Sequence, residues 1–241
     1  LLHQEYENWE CIVVDDNSTL PYINLLRKEY EIRDSRFRFF SRPKDYPSGA
    51  SACRNYGFLQ SNGKYIQWLD DDDFLSNNKI SAQIKQLESI DSELTFSFCS
   101  WDLFWPGKKL EIKNPFDLKN EVNPSDFFNI ISLNKTFLPF SAYLTSSTLI
   151  KRSGLWDLRL TLNDDAEFFS RVLTESELLV NCPESYVLYR AHSGERISEQ
   201  ISAPHVKSFL LSLNLMQAHL TSKKFKCKKY FRWKLLQIIF K

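Results

Sequence analysis

Glycine is scarce in this chain, six residues in 241. Set beside an aromatic content of 15%, that scarcity excludes flexible linkers, low-complexity segments and glycine-punctuated arrays, and no internal period is found. Cys-x-x-Cys pairs are absent. Cys11, Cys53, Cys99, Cys182 and Cys227 are scattered, three of them inside apolar stretches, which points to free thiols in a reducing, cytoplasmic setting and against structural zinc. No apolar run reaches the roughly 18 residues of a spanning helix, and no signal peptide is visible. The chain opens on Leu1 rather than Met. Negative charge is missing from one end altogether. Residues 200–241 hold nine of the 31 Lys and Arg and none of the 30 Asp and Glu, so the preceding 199 residues carry a net −8.

What is there is 43% hydrophobic and 25% charged, enough to bury a full core as one domain, or one domain with an annexe. The tail is a separate electrostatic object. From Lys223 to Lys234 it interleaves cations with Phe225, Tyr230, Phe231 and Trp233, and the apolar Leu235-Leu236-Gln237-Ile238-Ile239-Phe240 follows. That pattern suits an anionic membrane surface. A solvated helix end, or an arm packed on the acidic body, is the alternative. Nucleic acid is not expected as a partner, because the body is acidic.

Asp70, Asp71, Asp72 and Asp73 stand directly after the apolar run Tyr65-Ile66-Gln67-Trp68-Leu69. Four carboxylates this close repel one another, and a hard divalent cation with oxygen ligands relieves the repulsion. An acidic run alone reads as a solvated turn, but ligands of open α/β sheets gather at the carboxyl ends of strands. Cys11-Ile12-Val13-Val14 likewise ends at Asp15-Asp16, a second acidic strand end.

Along the chain, a helix is expected over 20–30, a strand over 36–40, and a helix from Ser48 or Ser51 to Asn62-Gly63. The alternation of strand and helix predicts a doubly wound, mainly parallel α/β sheet. Ile80, Ile84 and Leu87 mark a helix face, and Asp73 reads as its cap. Residues 94–101, 147–150 and 185–189 read as strands. Residues 102–140 read as irregular apart from a short helix at 126–131, the kind of stretch where binding loops lie. A helix over 165–173 and a long amphipathic helix from Pro204 complete the reading.

Four stretches then resemble, in order, glycosyltransferase family 2, whose members have the GT-A fold: Val13-Val14-Asp15-Asp16-Asn17-Ser18-Thr19, Gly49-Ala50-Ser51-Ala52-Cys53-Arg54-Asn55, Trp68-Leu69-Asp70-Asp71-Asp72-Asp73, and Asn163-Asp164-Asp165-Ala166-Glu167. Tyr189-Arg190-Ala191-His192-Ser193 resembles the family's histidine-bearing strand end. The resemblance implies a GT-A domain over 1–200 without the family's first strand, followed by a C-terminal amphipathic helix and basic aromatic tail over 201–241. It implies an inverting transferase that moves a sugar from a nucleotide-sugar donor to a saccharide or lipid-linked saccharide acceptor in surface-polysaccharide or lipopolysaccharide synthesis, cytoplasmic or peripheral on the inner membrane face.

Roles follow by resemblance. Asp72 reaches Mn2+ or Mg2+, which neutralises the leaving diphosphate; His192 ligates that metal or touches the diphosphate, a structural histidine being the alternative. Asp70 lies near the ribose, with Asp71 assisting. Asp15 or Asp16 accepts the N3 hydrogen of uracil, favouring a UDP or dTDP donor, although one of the pair could equally cap the next helix. Arg54 bridges base pocket and diphosphate. Asp165 is the base, with Asp164 beside it to raise its pKa by like-charge repulsion. Two departures stand out: nothing before Leu1 supplies the family's first strand, and Ala166 replaces the aromatic residue that often follows the base. The rival readings are a degenerate sugar-nucleotide binder, a receiver or phosphatase domain, whose spacings do not fit, and a calcium loop, which lacks its Gly and terminal Glu.

Overall fold

The computed structural model describes residues 1–19, 21–105, 120–191 and 202–239, with side chains to 236. The apolar, β-branched segment β1 (Cys11–Asp15) runs parallel to β2 (Phe37–Ser41), paired from Cys11 with Phe37 to Asp15 with Ser41. Between them lie helix α1 (Tyr22–Leu26) and a π-helical turn, Arg27–Glu31. Helix α2 (Ala50–Gln60) packs back on β1. A Cβ on Gly57 would stand 3.4 Å from a Val14 methyl, so the missing side chain lets helix and strand approach closely.

The second sheet holds β3 (Tyr65–Ile66), β4 (Phe74–Leu75), β5 (Thr95–Phe104), β6 (Glu121–Val122), β7 (Tyr143–Ser146) and β8 (Leu178–Arg190). Its order is β3-β7-β5-β8-β4, with β6 also on β8. The two long ladders of the molecule, β1 with β2 and β5 with β8, are parallel. The short pairings of β3 and β5 with β7, and of β4 and β6 with β8, are antiparallel. Among the described residues β1 pairs only with β2, and β3 only with β7, so the strands form two sheets.

Helices α3 (Lys79–Glu88), α4 (Pro124–Asn134), α5 (Ser147–Ser153), α6 (Asp164–Glu175), α7 (Ala203–Ser222) and α8 (Lys228–Ile239) complete the chain. The starts of α4 and α7 follow ordinary capping chemistry. Asn123 accepts the Ser125 N–H at 2.9 Å before Pro124 opens α4, and Ser202 accepts the His205 N–H ahead of α7.

Three expectations are corrected. Residues 147–150 are the first turn of α5 rather than a strand, because the Ser146 hydroxyl caps the Leu149 N–H at 3.0 Å. The strand expected over 65–69 pairs only at Tyr65 and Ile66. The Gln67 amide there turns to the carbonyls of Trp68 and Ser141, at 2.6 and 2.9 Å. The strand expected at 185–189 begins already at Leu178, and a register shift beyond Cys99 absorbs the Pro183-Glu184 interruption that splits it in sequence.

The core lies between the large sheet and α6. Trp156 stacks on Phe168 with centroids 4.3 Å apart and planes 5° from parallel, and Trp68 meets both edge-on at 5.6 and 6.0 Å. Such pairs contribute about 0.5–1.5 kcal/mol each beyond their buried area. Leu213, Met216 and Leu220 of α7 join this core, as do Cys227, Tyr230 and Phe231 of the tail. The Tyr230 ring lies 5.2 Å from Phe128 of α4. The inner face of the tail is therefore packed on the body. Its outer face, Lys228, Lys229, Arg232, Leu235 and Leu236, is exposed. Beneath α7, Glu167 is 1% exposed, and Arg171 grips its two carboxylate oxygens at 2.8 and 2.9 Å.

Candidate active site

The first half of α2 is where the acidic segments meet. Gly49 precedes the helix at φ 125°, a conformation glycine reaches without strain, and its N–H donates to Asp16 at 2.7 Å. Arg42 holds the other oxygen of Asp16 and also donates to the Pro43 and Tyr46 carbonyls. The Arg42 hydrogen bond holds the Asp16 carboxyl below its ordinary pKa, with the Gly49 N–H adding to it. Asp15 accepts the Ser18 N–H at 3.0 Å, closing a turn. Both members of the pair thus have partners within the protein. Arg42 escaped the sequence reading although its signal was present: in a parallel pair that aligns Asp15 with Ser41, the next residues along are Asp16 and Arg42.

Ser51 and Arg54 are three apart on α2 and share a face. The Arg54 guanidinium lies 3.0 Å from Asp70 and 3.2 Å from Asp164, and it covers the rings of Phe140 and Trp156, each centroid 4.5 Å away. Ser51 donates to the same Asp164 oxygen at 2.8 Å. Trp156 is fixed beneath Arg54 by Asn55, whose amide donates to the Trp156 carbonyl and accepts its N–H, both at 2.9 Å. Neither Ser48 nor Ser51 caps α2, which starts behind Gly49 with no side-chain cap, and Ser51 lies inside the helix; sequence pattern gave no sign of Phe140 or Trp156 in these places.

The acidic run fans out to different partners. Asp70 takes Arg54, and burial, with the charges of Asp72 and Asp71, raises its pKa against that cation. Asp71 is exposed. The Asp72 carbonyl accepts from the Arg190 side chain at 3.0 Å. Asp73 does not cap α3. It accepts from the Ser141 hydroxyl at 2.8 Å and the Arg190 N–H at 3.2 Å, and burial pushes its pKa up to about 6.

Asp164 and Asp165 open α6, whose amide end favours anions. Asp165 accepts the Ala166 N–H at 2.7 Å. Burial and then the neighbouring Asp164 raise its pKa, against the charges of Arg54 and Lys234. Its own negative charge adds to burial in raising the phenols of Tyr143 and Tyr230. The two acids of α6 are therefore unlike: Asp164 is paired with Ser51 and Arg54, while Asp165 is set against aromatic phenols. Among the described residues no three His, Cys, Asp or Glu side chains converge to hold a metal ion. His192 lies outside the described residues.

Residues 1–156 match the family described as Glycosyl transferase family 2. The chain is 34% identical over 125 residues to an uncharacterized glycosyltransferase of Rickettsia bellii, which covers 52% of this chain and 17% of that protein. It is 25% identical over 219 residues to the UDP-Glc:alpha-D-GlcNAc-diphosphoundecaprenol beta-1,3-glucosyltransferase WfaP of Escherichia coli, covering 90% of this chain and 77% of that one. Among solved structures, S. aureus TarS 1–349 in complex with UDP-GlcNAc superposes with a TM-score of 0.68 at 16% identity, over 89% of this chain and 60% of that 1–349 chain. The chain thus spans less than two thirds of the length of the Rickettsia protein and of TarS.

Proposed function

The chain belongs to glycosyltransferase family 2 and has the GT-A fold, and we propose that it moves a sugar from a UDP- or dTDP-linked donor to an acceptor hydroxyl with inversion at the anomeric carbon. One observation carries this reading. Arg54 binds Asp70 from the loop after β3 and Asp164 from the start of α6, so the segments proposed to hold the donor and to bear the base meet at one side chain. Asp15 and Asp16 face the base, Arg54 the diphosphate, and Asp70 and Asp71 the ribose side. Asp165 takes the proton of the attacking hydroxyl, and its raised pKa makes it a better proton acceptor than an ordinary carboxylate.

A divalent cation fits this donor set. Mg2+ takes one or two carboxylates and completes its shell from substrate phosphate and water, so it needs no three-sided protein cage. Burial and mutual repulsion also raise the pKa of both Asp70 and Asp73, a strain that a cation relieves. Asp72 and His192 would hold Mn2+ or Mg2+, which supplies charge neutralisation to the departing diphosphate.

The name of WfaP includes a lipid diphosphate acceptor, and the outer face of α8 supports an acceptor of that kind here. Lys228, Lys229, Arg232, Leu235 and Leu236 fall at i, i+1, i+4, i+7 and i+8, all exposed, with no acidic residue in the chain after Glu199. We assign this stripe to an anionic membrane surface on the cytoplasmic side, in polysaccharide or lipopolysaccharide assembly.

The test of the transfer is a screen of nucleotide sugars with a lipid-diphosphate saccharide acceptor, reading free nucleoside diphosphate. Metal-dependent release that Asp72→Ala abolishes supports the reading. Nucleotide binding without transfer would favour a non-catalytic sugar-nucleotide binder. For the membrane surface, sedimentation with phosphatidylglycerol vesicles should fall in Lys228→Glu/Arg232→Glu, a change that spares the packed Tyr230 and Phe231. Equal sedimentation of parent and variant would remove that assignment.

A further inference from the structure

Lys79, the first residue of α3, is fully buried. Its ammonium donates to the side-chain oxygens of Gln67 and Gln83. Among the described residues no carboxylate forms an ion pair with it, and burial lowers its pKa to about 8. An ammonium has donors only, so each amide facing it must present oxygen and send its NH2 the other way. That constraint decides where both NH2 groups go. Gln67 donates to the Trp68 and Ser141 carbonyls at 2.6 and 2.9 Å, and Gln83 donates to the Ala142 carbonyl at 3.1 Å. Two of these acceptors belong to the 3-10 turn Phe140–Ala142.

This turn touches the proposed transfer site twice. The Phe140 ring lies beneath Arg54, and the Ser141 hydroxyl donates to Asp73 at 2.8 Å. We infer that Lys79 is a positioning residue of the transfer site: by fixing the orientation of the Gln67 and Gln83 amides, its ammonium hangs the Phe140–Ala142 turn where it supports Arg54 from below and steadies the end of the acidic run. The inference rests on the reading of Arg54 as a donor-binding group. A buried cation is a costly way to fill space, and an apolar chain of the same length would fill it while leaving both amides free to rotate. Lys79 is not a catalytic residue, since it reaches the proposed site only through the two glutamines.

The experiment compares the parent protein with Lys79→Met, which keeps the chain length, and with Lys79→Arg, which keeps donors only. Hydrogen exchange of the Ser141 and Ala142 amides is read first, in folded protein without ligand. It should quicken at least tenfold in Lys79→Met and by less in Lys79→Arg. Binding of uridine diphosphate to the folded fraction is read second and should weaken at least fivefold in Lys79→Met. Should Lys79→Met fail to fold, Gln83→Leu, which removes one arm of the network, takes its place in both readouts. Unchanged exchange overturns the positioning role. Faster exchange with unchanged nucleotide affinity also overturns it, because the turn would then be no part of the site. If Arg54→Ala also leaves that affinity unchanged, the donor-site reading fails as well, an outcome distinct from failure of the Lys79 role alone.

Discussion

Two arginines on neighbouring helices, Arg171 and Arg54, show how one side chain serves two ends. Arg171 is 13% exposed and closes on a single carboxylate, Glu167, with both oxygens engaged. It spends further donors on the Ser153 and Leu155 carbonyls at 2.6 and 2.8 Å. Arg54 is nearly as covered, at 16%, yet it divides itself between Asp70 and Asp164, which are 39% and 21% exposed. The first arginine is satisfied by the fold alone. The second is held in place by partners that solvent, and therefore a ligand, can still reach.

The largest effect expected from this contrast is in the closed pair. Glu167→Ala leaves a buried guanidinium uncompensated and should cost ~3–5 kcal/mol of unfolding free energy, read by urea denaturation; a loss below about 1 kcal/mol would show that the pair is no anchor. For Asp165 the expected loss is of rate. Asp165→Asn should reduce transfer by roughly 10²–10⁴ while making the protein more stable at neutral pH. The sign follows from linkage. A carboxyl whose folded pKa is raised stabilises the fold below its unfolded pKa, and that contribution is lost as pH rises through the raised value. Asparagine escapes the loss. The parent's kcat/KM should accordingly fall on acidification at a pH above that of an ordinary carboxylate; an acid limb at the ordinary value, or undiminished transfer in the variant, removes Asp165 as the base.

Smaller effects sharpen the comparison. Arg54→Ala should cost only about 1–2 kcal/mol of stability, from ring contacts and half-open ion pairs, but lower uridine diphosphate affinity at least about tenfold, ~1.4 kcal/mol. Lysine should not restore it, because a point charge cannot span two carboxylates and two rings. Calorimetric titration decides, and full affinity in the alanine variant would erase the distinction between the two arginines. Smallest is Ser51→Ala, with an expected loss of ~0.5–1.5 kcal/mol for one hydrogen bond to a partly exposed carboxylate, measured by thermal unfolding.

Much of this arrangement was legible in the sequence because periodicity and strand ends are local. Val13-Val14-Asp15 announces where a strand delivers a carboxylate, and Asn163-Asp164-Asp165 announces a helix start. What escaped is what packing alone decides. Whether Asp164 or Asp165 faces Arg54 depends on how α6 is rotated against α2, and no spacing encodes that angle. The Ser146 cap of α5 was overlooked because Leu149 and Ile150 suit a strand equally well. For the tail, packing on the body stood only as an alternative to a membrane-facing stretch, because a charge count cannot show that Tyr230 and Phe231 turn inward while Lys228 and Arg232 turn out.

The reciprocal amide bond between Asn55 and Trp156 has a thermodynamic consequence. It clamps the indole by its own main chain, so the flat guanidinium above rests on a floor that cannot tilt. Arginine carries about 2 kcal/mol of rotamer entropy, and here much of that freedom is surrendered during folding. On the donor role proposed for Arg54, an incoming diphosphate would meet a fork already aimed, and little of its binding free energy would be consumed in arresting a wandering side chain.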